Sequence, residues 1–207
     1  MNAIKNLSML VIGTITALSV KTQNFSGGII GGVSTGPVKV TNIDREFTDL
    51  MEGKKIYGYE GGIFVKFLMG PLYIRPQMIY SAREGEINYL QKPMGESGAI
   101  SRTADFRLEK FEAPVLIGYN ILDSYLSLEA GPVYNYIVTM SRNYNENELE
   151  LERNGLGYRA GISSEWGPLF LNLSIQGLAN TSMLDKATYT EPYKFIFGLG
   201  LILAETR

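Results

Sequence analysis

Residues 72–81, LYIRPQMIYS, alternate between two kinds of side chain: Leu72, Ile74, Met78 and Tyr80 fall on one side of an extended chain, Arg75, Gln77 and Ser81 on the other. The same period of two recurs along the chain and predicts eight strands, at 26–38, 57–68, 71–82, 108–120, 124–140, 155–166, 168–180 and 193–204. No long segment of helical period competes with them. The connections come in two kinds that alternate. MG joins strands two and three, ILD joins four and five, and a single Gly joins six and seven, whereas 39–56, 83–107, 141–154 and 181–192 are long and polar. A meander with every tight turn at one end and every long loop at the other has the layout of an outer-membrane barrel. The three prolines inside strands, Pro76, Pro114 and Pro132, each remove a ladder hydrogen bond, and bulges are expected at them.

Composition decides which face is wet. The apolar rows are continuous: Leu126, Leu128, Ala130, Tyr134, Tyr136 and Val138 in strand five, and Phe195, Phe197, Leu199, Leu201 and Leu203 in strand eight. The opposite rows mix charges of both signs with Gly28, Gly32, Gly62, Gly118, Gly131, Gly161, Gly198 and Gly200. Gly weakens a solvent-exposed strand, whereas a lumen of about eight strands is just wide enough for side chains and needs small residues beside large ones. The polar, Gly-rich row therefore points inward and the apolar row faces lipid. The fold expected is all-β: an eight-stranded antiparallel up-and-down transmembrane β-barrel with a filled polar lumen.

This parity places Glu60, Lys66, Arg75, Lys110, Glu112, Glu129, Arg159, Glu165 and Lys194 in the lumen, four acids and five bases. Isolated charges there would cost several kcal/mol each, so they are expected to pair into a structural plug rather than line an open pore. Tyr73, Tyr80, Tyr119, Tyr125 and Trp166 lie near strand ends, where amphipathic rings favour the membrane interface.

The N-terminus adds an address. Lys5 precedes LSMLVIGTITALSV (7–20), an apolar run too short to span a bilayer and followed by small residues, which reads as a signal peptide over 1–22 cleaved after Ser19 or Thr22. Residues 23–207 then form one barrel domain. Charge is nearly balanced, 19 Lys and Arg against 21 Asp and Glu, which argues against a nucleic-acid partner.

The chain has no Cys and no His, which removes thiolate nucleophiles, imidazole bases and the usual zinc ligands. An activated Ser would need Lys as its base, and no Ser-x-x-Lys occurs. No catalytic residue, cofactor or metal site is therefore assigned, and a lipid-modifying enzyme is the weaker alternative. The acidic run NENELELE (145–152) gathers Glu146, Glu148, Glu150 and Glu152. It lacks the Gly and spacing of a Ca²⁺ loop and reads as a solvated segment rather than a divalent-cation site.

The stretch YGYEGGIFVKFLMGPLYIRPQMIYS (57–81), together with FEAPVLIGYNI (111–121), LEAGPVYNYIV (128–138) and YKFIFGLGLIL (193–203), resembles the PorT-like outer-membrane β-barrel proteins. The resemblance covers most of the chain and implies an eight-stranded barrel in the outer membrane of a Bacteroidetes-type bacterium, with a founding member tied to type IX secretion and gliding. The chain departs from a common barrel pattern in following its last strand with AETR rather than ending on an aromatic residue. Fold and resemblance together give the expected role: a non-catalytic accessory subunit of an outer-membrane assembly for secretion, insertion or motility. Its partners would be outer-membrane lipid and other outer-membrane or periplasmic proteins, with long loops extracellular and both termini periplasmic. A stand-alone structural or adhesive barrel is the alternative, and a small-solute channel a weaker one.

Overall fold

The computed structural model describes residues 25–37, 39–42, 50–53, 56–91, 100–123, 125–142, 154–178, 182–183 and 187–206. Residues 1–24, where a signal peptide is expected, the acidic run at 145–152 and the tips of the long loops lie outside the described residues. Twelve strands run in chain order: β1 Phe25–Gly36, β2 Lys39–Asn42, β3 Leu50–Gly53, β4 Ile56–Met69, β5 Leu72–Gln91 and β6 Ile100–Leu122. They continue with β7 Leu126–Arg142, β8 Asn154–Trp166, β9 Leu169–Leu178, β10 Ser182–Met183, β11 Ala187–Thr190 and β12 Lys194–Thr206. Eight of them close a barrel in the order β1-β4-β5-β6-β7-β8-β9-β12, every pair antiparallel, with β12 returning to β1 from Phe25↔Thr206 to Thr35↔Phe195.

Turn chemistry fixes the three tight connections. Gly70 and Gly167 carry positive φ, 68° and 61°, and each is followed by proline, so Gly takes the first central position of a two-residue hairpin where other residues would be strained. Each of these prolines, having no N–H to place, offers its carbonyl to the next strand: Asn120 N–H donates to Pro71 O at 2.8 Å and Ile202 N–H to Pro168 O at 2.7 Å. Asp123 supplies the third positive φ, at 49°. All three turns, and the paired ends Phe25 and Thr206, lie at one end of the barrel.

The four short strands belong to the long connections and are ordered β10-β11-β2-β3-β5, directly above β9-β12-β1-β4-β5. One side of the wall is thus carried past the barrel as a ribbon. The polar stretch 83–107, expected as loop, is largely strand: β5 and β6 stay paired from Gly85↔Phe106 to Gln91↔Ile100. Above the membrane both faces are wet, so the alternation that marks a strand lower down fades while the backbone ladder persists.

The prolines are accommodated without the bulges expected of them. At Pro76, Pro114 and Pro132 the β4–β5, β5–β6 and β6–β7 ladders each skip two rungs with no change of register. Register shifts fall instead at Gly27/Gly28, Glu109/Lys110 and Asn120/Leu122. Three hydrogen-bond gaps on adjacent interfaces cost the wall some ladder energy but preserve the in-and-out parity that a one-residue shift would invert.

Outward positions carry the membrane band. Ile29, Val33, Ile63, Met78, Val115, Ile117, Leu128, Ile162, Leu173, Phe197 and Leu199 are all exposed on the outer wall. Tyr57, Tyr59, Tyr134, Tyr136, Tyr158 and Tyr193 ring its loop end and Tyr119, Tyr125 and Trp166 its turn end. From Tyr125 to Tyr136 the chain climbs about 36 Å along the strand, or about 28 Å along an axis tilted by ~40°, close to the ~25 Å apolar band of such barrels. Tyr73 does not join either ring. It is fully buried in the lumen, because its odd number shares the inward parity of Arg75 and Gln77, and the interface role expected from its place at a strand end is corrected.

Candidate functional site: the lumenal ion-pair network

The nine charged residues singled out by parity lie on six strands, and the structure turns all of them inward. Eight are buried, and Glu165 is the most open, with 15% of its side chain exposed. They form two clusters joined by no ion pair among the described residues.

The cluster nearer the tight turns centres on Glu129. Tyr73 donates its hydroxyl to Glu129 Oε2 at 2.8 Å, Asn172 Nδ2 donates to Oε1 at 2.6 Å, and the Arg75 guanidinium pairs with the same carboxylate. Ser163 Oγ stands 3.2 Å from the Tyr73 hydroxyl. Beside this group Lys66 Nζ pairs with Glu165 Oε1 at 2.6 Å and stands 4.3 Å from the centre of the Tyr73 ring, while Arg75 lies 4.3 Å from the Phe170 ring centre. Charge is balanced here, two bases and two acids. Cations are stacked on aromatic faces as well as paired, the arrangement a dry site favours.

The cluster nearer the long loops centres on Glu112. Lys194 Nζ approaches Glu112 Oε1 at 2.6 Å, Lys110 Nζ the same oxygen at 3.0 Å, and Arg159 Nη2 approaches Oε2 at 2.9 Å. Glu60 lies farther off, 3.5 Å from Arg159 and 3.6 Å from Lys194, and Gln176 accepts from Arg159 Nε at 2.7 Å. Two members come from outside the set expected from sequence. Arg83 donates to the Gly36 carbonyl at 2.9 Å and pairs with Glu191, and Glu191 also accepts from Lys110 at 2.6 Å.

Glu191 is not on a strand. It sits in the break between β11 and β12, where the wall interrupts itself and lets the side chain fold into the barrel. Leu178 N–H on β9 holds the Glu191 carbonyl at 3.1 Å and fixes that break. Burial works to raise its carboxyl, but Lys110 first, then Arg83 and Lys194, outweigh it and hold the group at about 2. Arg83 continues the odd inward parity of β5 and is legible by extending that strand one step past Ala82. Glu191 carries no such signal.

The lumen is not polar throughout. Phe64, lying on β4 between Glu60 and Lys66, packs on Phe170 with ring centres 5.5 Å apart, and Ile30 and Ile202 complete this cluster. Ile79, Leu116, Val133 and Ile196 are buried on the same inward rows. Greasy side chains and ion pairs together fill the interior, so the charges are kept from bulk water and interact through a low dielectric, which strengthens each pair. Buried polar atoms without a protein hydrogen-bond partner include Arg75 Nε and Nη1, Gln77 Oε1, Ser81 Oγ and Asn135 Oδ1. Among the described residues no group of three or more acidic side chains is arranged to hold a metal ion.

A closed eight-stranded antiparallel wall with an apolar outer face and an ion-paired interior defines an outer-membrane β-barrel. A family model described as "Outer membrane protein beta-barrel domain" matches residues 21–192, and the chain belongs to that family. Among solved structures, OprG from Pseudomonas aeruginosa is similar at 13% identity and a TM-score of 0.52, covering 88% of this chain and 97% of its own. Neisserial surface protein A is similar at 12% identity and a TM-score of 0.48, over 86% of this chain and 96% of its own. Ail, the attachment invasion locus protein of Yersinia pestis, gives 13% identity and a TM-score of 0.42, over 86% and 99%. At 13% identity the likeness to OprG speaks to the fold alone. No curated protein matches the chain in sequence.

Proposed function

We propose that this barrel is a non-catalytic accessory subunit of an outer-membrane protein assembly, acting through its loop end and not through its lumen. The observation that carries this reading is the filled interior: Glu112 pairs with Lys110 on its own strand and with Arg159 and Lys194 from other strands, and Phe64 packs on Phe170, which supports a plugged lumen over an open pore. Activity is then left to the surfaces. The ribbon β10-β11-β2-β3 raises one side of the wall beyond the barrel and offers main-chain and side-chain contacts to a partner. In this reading the ribbon faces outward from the cell, the tight turns and both chain ends face the periplasm, and the resemblance to PorT-like barrels points to secretion, insertion or motility machinery as the kind of assembly.

Purification from native membranes in mild detergent tests the proposal. A stoichiometric complex that dissociates on deletion of 182–190 is the expected result. A barrel that runs alone under every mild condition overturns it in favour of a stand-alone adhesive or structural role, and stepwise conductance in planar bilayers would favour a channel.

A further inference from the structure

The outer wall is not evenly convex. Across β4, β1, β12, β9 and β8 it bears a groove of about 720 Å³ whose lining is almost wholly carbon, contributed mainly by the outward side chains of Val33, Tyr57, Ile162, Leu173, Phe195 and Phe197. Register explains its form. One outward row reads Tyr57, Thr35, Phe195, Ile175, Ala160 across the five strands, and the next reads Val33, Phe197, Leu173, Ile162 across four of them. Thr35 and Ala160 are small where their neighbours are large, so the bulky side chains become walls around a depression.

We propose that this groove seats one acyl chain of a bilayer lipid. It lies within the apolar band, where hydrocarbon is the solvent, and no charged side chain lines it. Size selects the occupant. A transmembrane helix of about 20 residues, ~30 Å long and at least ~10 Å wide, fills roughly 2,400 Å³ and cannot sink into it. A chain of about 16 methylene-sized units at ~30 Å³ each needs roughly 480 Å³ and can. The mouth is suited to the polar end of the same molecule: Tyr57 and Tyr193, both exposed, stand at the loop end of the band, with Tyr193 edge-on to Phe195 at 5.7 Å between ring centres. Phenol hydroxyls at that level meet the ester and headgroup layer. A chain held this way leaves the mobile annulus and becomes part of the wall beneath the ribbon, because β4, β1, β12 and β9 are the strands the ribbon continues.

The test uses the full-length barrel, one copy per nanodisc, in phosphatidylethanolamine carrying a diazirine on one acyl chain. Adducts mapped by mass spectrometry are expected to concentrate several-fold on Leu173, Ile175, Phe195 and Phe197 over Phe111, Val115 and Tyr134, outward residues of β6 and β7 on the far side. Even labelling around the barrel, or less labelling in the groove than opposite it, overturns the proposal. A second measurement uses nitroxide-labelled acyl chains. The immobilised spectral component seen with wild type should shrink in Ala160→Trp, whose indole takes up part of the groove, and be kept in Ala113→Trp on β6. Equal loss in both, or its absence from wild type, counts against an acyl seat.

Discussion

The ring of Tyr73 lies on the bare backbone of Gly118, its cross-strand partner on β6, so closely that a Cβ at 118 would overlap the ring. Gly118 is therefore what lets Tyr73 lie down in the lumen and reach Glu129. Gly118→Ala is expected to displace the ring, break the hydroxyl contact with Glu129 and destabilise the barrel by about 1–3 kcal/mol, the usual range for overpacking a core. Urea unfolding in lipid vesicles checks this. Tyr73→Ala placed on top of Gly118→Ala should cost much less than the sum of the two single changes.

Glu112 is the hub of the loop-end cluster, and its loss would leave Lys110, Arg159 and Lys194 crowded around a neutral group. Glu112→Gln is expected to lower stability by about 3–5 kcal/mol, as when one partner is removed from a buried ion pair. Glu84→Gln, on the outer surface beside the exposed Arg107, should change it by under about 1 kcal/mol. Comparing the two unfolding midpoints under one condition checks the contrast.

Acid should weaken the Glu191 tie only below the usual carboxylate range. Its carboxyl titrates at about 2 in the folded barrel, below the ordinary 4.5, so the stability it adds is fully present above pH 4.5 and is lost as pH falls towards 2. Wild type should thus exceed Glu191→Gln by a constant margin at neutral pH, and the margin should close between about pH 4.5 and 2. A gap that stays constant down to the acid end would mean that the Glu191 carboxyl is not held low by its cationic neighbours.

Side-chain direction makes the outer face intolerant of charge. Leu173→Arg, on the apolar wall and half exposed to hydrocarbon, is expected to cost about 2–4 kcal/mol near the middle of the bilayer. Measured folding into vesicles of defined lipid gives the value. Gly31→Ala, on the same outer face and without a close neighbour for the added methyl, should be nearly silent.

Restoring a rung should help the wall. In Pro132→Val the residue regains an N–H that faces the interrupted stretch of the β6–β7 ladder, where the rungs opposite Val115 and Leu116 are missing. A gain of about 0.5–1.5 kcal/mol is expected, with protection of the new amide at 132 and slowed exchange at 115 as the direct readout.

The part of the barrel legible in its sequence is the part governed by parity. Arg75, Gln77 and Ser81 fall inward because a pleated strand leaves them no alternative, and the same rule carries Lys66, Glu112 and Lys194. Tyr73 obeys the rule too, and is misplaced only when an aromatic near a strand end is read by residue type instead of by position. Phe64 and Phe170 are hidden for a related cause: polar neighbours on their row mask the fact that a lumen this narrow needs greasy filling as well as ions. Glu191 is beyond reach, since it turns inward through an interruption in the wall between β11 and β12 that depends on how two distant loops pair.

The seam between β1 and β12 couples the chain's extremities, pairing Phe25 with Thr206 and Thr35 with Phe195. Contacts so remote in sequence are slow to find, and the cylinder cannot be sealed until its final strand has been delivered. Until that moment two raw edges are open to any passing strand, so a chaperone that shields them, or an assembly factor that lends a temporary neighbour, would govern how much of this protein reaches the membrane intact.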